Sequence, residues 1–180
     1  MKQRWTAILA LIIPSHVYAH PHLRVDQQAH LSIGRTQADI VFYLASSTRD
    51  GAHMFDHIDT DRNGRLSQTE QKRSAQELVL SATLTVDGKS SRLIATQFGF
   101  PERRAMVSGH GVIWVGARAM IRLEPEHVRR LTFNATYRRF SQIWSIQPFY
   151  RSDLSRLRPL PIVRRRNGPN AIEIVFRRSE

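Results

Sequence analysis

The chain has 180 residues, eight histidines, no cysteine and a formal charge of +12. The lack of cysteine excludes disulfides and thiolate metal sites, so a hydrophobic core alone must hold the fold. So basic a chain raises nucleic acid as a partner, but its arginines are spread along it, Arg164-Arg165-Arg166 and Arg177-Arg178 apart, and its first residues point away from the cytoplasm.

Lys2 and Arg4 precede an almost wholly apolar run from Trp5 to Ile13, and Val17-Tyr18-Ala19 presents small residues where a signal peptidase inspects them. This layout predicts a Sec-type signal peptide over residues 1–19, cleaved after Ala19, and a periplasmic or secreted product. The apolar run is far shorter than the roughly 20 residues that span a bilayer. No transmembrane segment is expected in the mature chain, residues 20–180, which reads as a single β-rich domain. Losing Lys2 and Arg4 lowers the charge from +12 to +10. No nucleic-acid partner is expected for an exported chain.

Cleavage would expose His20-Pro21-His22. The new amine and the His20 ring form a chelating pair for nickel, cobalt or copper, to which His22 adds a second imidazole. Pro21 has no amide proton to lose, which excludes the mode that uses the deprotonated backbone amides of residues two and three of the exposed terminus. A further ligand such as His30 or His110 is then required, and a solvated terminus is the plainer reading.

Beyond His22 most of the chain alternates with a period of two. Leu23, Val25, Ala29, Leu31 and Ile33, then Ala38, Ile40, Phe42 and Leu44 across Gly34, predict a hairpin. Thr83 to Val86 and Ser91 to Phe98 flank Asp87-Gly88, a pair suited to a two-residue turn. Further strands are predicted from Ile113 to Leu123, Leu131 to Tyr137, Ile143 to Tyr150, Leu160 to Arg165 and Ala171 to Arg177. About eight strands at this spacing suggest a two-sheet, immunoglobulin-like sandwich. Between Ser47 and Leu80 the period becomes helical: Ala52, Phe55 and Ile58 share one face, and Ala75, Leu78 and Val79 share another. A helix-loop-helix over residues 47–80 is therefore expected between the second and third strands.

The loop of that insertion carries the sharpest motif. Asp59-Thr60-Asp61-Arg62-Asn63-Gly64-Arg65-Leu66-Ser67-Gln68-Thr69-Glu70 matches the EF-hand spacing. Calcium takes six to eight oxygens at about 2.3–2.6 Å. Asp59, Asp61 and Asn63 supply short oxygen-bearing side chains, and Gly64 makes the sharp bend. Arg65 offers its backbone carbonyl, Ser67 a hydroxyl or a held water, and Glu70 both carboxylate oxygens. Ser67 and Glu70 also form a capping box, which accounts for Glu70 by itself but not for the residues upstream. With Arg62 and Arg65 close by and no second loop in the chain, a single site of modest affinity is expected.

The other histidines are weaker signals. His53 and His57 lie four apart on the first helix, but two ligands make no site and no Glu separates them as in a zinc protease. His110, in Gly109-His110-Gly111, reads as part of a turn. Trp114, Trp144, Phe149 and Tyr150 read as core or sheet-face residues. No nucleophile elbow, phosphate-cradling loop or acid-base pair is visible, so no enzyme is expected.

The start Ala19-His20-Pro21-His22, the strands after it, the acidic helical insertion and Leu84-Thr85-Val86-Asp87-Gly88-Lys89 resemble bacterial periplasmic proteins associated with metal transport. They also resemble the extracytoplasmic N-terminal region of HupE/UreJ-type permeases. The likeness spans roughly residues 19–90, and, unlike in the permeases, no transmembrane segment is expected after residue 19. It implies an accessory or binding role beside a membrane metal transporter or another envelope protein, and carries over the loop residues Asp59, Asp61, Asn63, Arg65, Ser67 and Glu70. Two functions are expected on these grounds. One is a calcium-binding structural or interaction module. The alternative is delivery of nickel, cobalt or copper through His20 and His22.

Overall fold

Apolar residues at every second position between Asp26 and Ala45 put one face of a hairpin into the core. A computed structural model describes residues 24–124, 129–157, 159–165 and 168–177. In it β1 (Asp26–Ile33) and β2 (Gln37–Ala45) pair antiparallel from Asp26↔Ala45 to Ile33↔Ala38. Ala29, Leu31, Ile33, Ala38, Ile40, Phe42 and Leu44 are all buried. The signal segment and His20 and His22 lie outside the described residues.

After β2 the period changes, as the sequence indicates. Helix α1 (Gly51–Ile58) buries Met54, Phe55 and Ile58, and α2 (Gln68–Leu80) buries Ala75, Leu78 and Val79. Ala52, expected on the inner face, is only half-buried; Met54 fills the core instead. Ser81 ends α2 and leads into β3 (Ala82–Val86), which turns through Asp87 (φ 50°) and Gly88 (φ 79°) into β4 (Lys89–Ser91). Positive φ at both central residues is the reason for Asp-Gly in this turn.

The expected strand from Ser91 to Phe98 is in fact two. β4 ends at Ser91 in one sheet, and β5 (Ile94–Gly99) begins in the other. Periodicity continues across the break because both halves remain extended, while their partners change. A short helix, α3 (Arg103–Val107), comes next, then β6 (Val112–Met120), β7 (Arg129–Ala135) and β8 (Ser145–Tyr150). A single turn, α4 (Ser152–Ser155), precedes β9 (Ile162–Arg164) and β10 (Ala171–Phe176).

Among the described residues the ten strands form two five-stranded sheets, ordered β5-β6-β2-β1-β8 and β4-β3-β7-β10-β9. The protein is mainly β, a two-sheet sandwich-like arrangement. All pairings are antiparallel except β1 with β8, where Leu31 lies opposite Pro148. β8 is an outer strand, the place where a proline does least harm to a ladder. Phe42 of one sheet meets Phe133 of the other at 6.2 Å and the edge of Trp144 at 5.7 Å. Each such fully buried side chain contributes on the order of 1.5–3 kcal/mol through lost apolar hydration.

β2 and β3 belong to different sheets, so the α1-loop-α2 segment is the crossover that joins them. It is held from both sides: α2 packs beside β5, β6 and β3, and α1 packs on α3. The α1–α3 contact is tight enough to require glycine, since a Cβ at Gly51 would stand 1.9 Å from the Met106 carbonyl oxygen. Among the described residues, no helix is long and apolar enough to cross a membrane.

Candidate metal centre

Two helix ends build the site. Asp59 is the residue after α1, its N–H donating to the Phe55 carbonyl, while Glu70 is the third residue of α2. The turn between them bends through the left-handed region twice, at Arg62 (φ 57°) and Gly64 (φ 77°). Gly64 adopts this at no steric cost; Arg62 does so against the preference of a side-chain-bearing residue. The sequence marks Gly64 but not Arg62.

Main-chain donors turn the acidic side chains inward. Asp59 accepts from the N–H of Asn63 (3.2 Å) and Gly64 (2.8 Å), and Asp61 from the N–H of Asn63 (3.1 Å). The Asn63 side chain donates to Asp61 at 2.8 Å, and its own oxygen accepts the Arg65 N–H at 2.8 Å. Glu70 closes the ring. Its Oε1 accepts from the Thr60 N–H (2.6 Å), the Thr60 hydroxyl (2.9 Å) and the Asp61 N–H (3.4 Å). Its Oε2 accepts from the N–H (2.9 Å) and hydroxyl (2.8 Å) of Ser67, whose Oγ takes the Glu70 N–H in return.

Asp59, Asp61 and Glu70 each place an oxygen so that all lie within 4.8 Å of one another. Oxygens sharing one ion at about 2.3–2.6 Å can be at most about 5 Å apart, so the set fits around a single hard cation. Asp59 and Glu70 are buried and Asp61 is exposed, as are Asn63, Arg65 and Ser67. The Ser67 N–H and hydroxyl, followed by the Thr60 donors, hold the Glu70 carboxyl at about 2 against the burial that opposes them. Glu70 is thus an anion throughout the physiological range. With five donors already on it, it has fewer free lone pairs than Asp59.

Three further neighbours, absent from the motif, hold the site in place. Thr60 anchors Glu70 through its N–H and hydroxyl. Arg73, one turn after Glu70, donates to the Ile58 carbonyl at 3.2 Å and to Thr60 Oγ1 at 3.3 Å, tying α2 to the end of α1. Arg103 of α3 reaches Asp56 at 3.7 Å and, with Arg62, lines a recess of about 420 Å³ that contains Asp59. Arg73 lies three residues beyond Glu70, a spacing that puts both on one helix face; Arg103 is distant in sequence and leaves no such signal.

The histidines fall elsewhere. His30 lies between Tyr43 (ring centroids 5.1 Å) and Phe149 (5.5 Å), and His110 contacts Ser108 Oγ at 3.2 Å. His53 and His57 both meet the Phe140 ring edge-on, and His57 stands 4.0 Å from Glu77. Burial, with Arg139 nearby, pushes the His57 imidazole below its ordinary value. Among the described residues no histidine joins a cluster of three metal-ligating groups; the loop carboxylates form the one that exists. Trp144 is buried and donates to the Tyr137 carbonyl at 2.9 Å, while Phe149 is exposed.

Searches of protein-family models, of curated proteins and of solved structures returned no match to this chain.

Proposed function

We propose that the α1-loop-α2 crossover is an EF-hand that binds one calcium ion, in an exported protein that works as a structural or interaction module of the cell envelope. The sandwich around it is read as immunoglobulin-like, and no catalysis is assigned. The observation that carries the reading is the convergence of Asp59, Asp61 and Glu70 within 4.8 Å, from a stretch that bends at Arg62 and Gly64. An all-oxygen donor set favours a hard cation over copper, nickel or zinc. Export rests on Lys2, Arg4 and the apolar Trp5–Ile13 run, and an envelope protein is the partner that fits it.

Asp59, Asp61, Asn63, the Arg65 carbonyl, Ser67 and Glu70 would hold the ion. It would supply positive charge between three carboxylates that otherwise repel, and so join the end of α1 to the start of α2. Because this crossover spans the two sheets, the ion would fix the relative placement of the helices that cover them.

The test is thermal unfolding of residues 20–180 in calcium and in chelator, for wild type and Asp59→Ala. A higher melting temperature in calcium, abolished in the variant, supports the reading. Identical melting of wild type in both buffers, with no calcium detected by elemental analysis, would overturn it.

A further inference from the structure

A second recess, of about 510 Å³, adjoins the ion loop and shares Gly64 and Arg103 with the one that contains Asp59. Its apolar lining comes from Phe55, Leu66, Phe100 and Pro101. Phe55 is buried, whereas Leu66, Phe100 and Pro101 are only half-covered. The charged lining is lopsided, with Arg65, Arg103 and Arg104 against Glu102 alone. Arg103 lies over the Phe55 ring at 5.8 Å and reaches Asp56 at 3.7 Å. Arg65 and Arg104 are exposed, and neither has an ion-pair partner among the described residues.

Half-covered apolar side chains lining one recess with the unpaired Arg65 and Arg104 select for a complementary shape: one apolar side chain flanked by carboxylates. The volume falls within the roughly 300–1,000 Å³ typical of binding clefts. Arginine and aromatic groups are also the kinds of side chain that dominate protein interfaces. We infer that this recess, between the Gly64–Leu66 stretch and the Phe100–Arg104 segment, is a docking site for an acidic peptide segment of a partner protein. An apolar side chain of that segment sits against Leu66 and Phe100, and its carboxylates pair with Arg65 and Arg104. The inference deepens the proposed module by naming the chemistry of its partner, and it does not require the ion to be calcium.

The experiment is a nitrogen-15 NMR titration of residues 20–180 with the peptides acetyl-Glu-X-Asp-Glu-amide, X being Phe, Leu or Ala. The expected result is amide shifts confined to residues 64–66, 71, 100 and 102–104, with Phe or Leu binding several-fold tighter than Ala. Arg104→Glu, a change at an exposed unpaired side chain, should weaken binding about tenfold. The reversals Arg49→Glu and Arg138→Glu, in a separate basic recess, should leave it unchanged. Equal binding of the Ala peptide, equal loss on reversing Arg49 and Arg138, or no shifts in the recess would each overturn the inference. Since the spectra report the recess directly, these outcomes remain distinct from a failure to bind calcium.

Discussion

Glu70 Oε1 takes both the main-chain N–H and the hydroxyl of Thr60, at 2.6 and 2.9 Å, across ten residues of chain. One carboxylate therefore fastens the start of the loop to the first turn of the helix that leaves it. The same side chain caps that helix through Ser67. Its substitution removes acceptors from several donors at once.

Glu70→Gln keeps one acceptor oxygen and replaces the other by a donor amide, which then faces either the Thr60 donors or those of Ser67. The expected outcome is a melting temperature several degrees lower than wild type in chelator, together with loss of any calcium-induced shift. Differential scanning calorimetry of both proteins in both buffers checks it.

The same residue sets an acid limit. Its carboxyl ionises at about 2 in the folded chain against an ordinary 4.5, so the unfolded chain binds the proton more readily. That contribution to stability is complete above the ordinary value and is lost as the pH falls from there through about 2. Melting temperatures of wild type should decline across that window, and the Glu70→Gln difference should narrow with it. A gap between the two proteins that stays constant down to the acid end would refute this account.

Arg103 and Arg62 place positive charge in the recess that contains Asp59. Arg103→Gln should tighten calcium binding roughly two- to fivefold, the scale of an exposed charge interaction. The gain should be largest near 0.01 M salt and vanish near 1 M, where screening is almost complete. Competition against a chromophoric chelator at both ionic strengths measures it.

Gly51 leaves no room for a methyl group against the Met106 carbonyl. Gly51→Ala must separate α1 from α3, at a cost of about 1–3 kcal/mol or more. Urea unfolding should show the midpoint displaced accordingly, and a variant as stable as wild type would mean that the helices separate freely.

Much of the fold and of the loop is legible in the sequence wherever a local pattern decides the outcome. Leu31 and Ile40 face each other because alternation and a short turn leave one register, and Asp59, Asp61 and Glu70 meet because their spacing sets loop geometry. The features that stay hidden depend on partners remote in sequence. Nothing near Ser91 says that the next residues change sheets. Nothing near Ala29 indicates a parallel neighbour at Ile146. The five residues of α3 are too few to show a helical period, so the sequence does not place Arg103 beside Asp56.

That parallel neighbour makes the order of synthesis matter. β1 ends at Ile33, yet the strand that covers its other flank arrives only with residues 145–150. A chain halted before that point presents an open edge, able to recruit a second copy by main-chain pairing. Adding β8 moves the open edge from the eight residues of β1 to a six-residue strand interrupted by Pro148, which has no N–H to offer, so until β8 is made the chain presents the longer and unbroken edge.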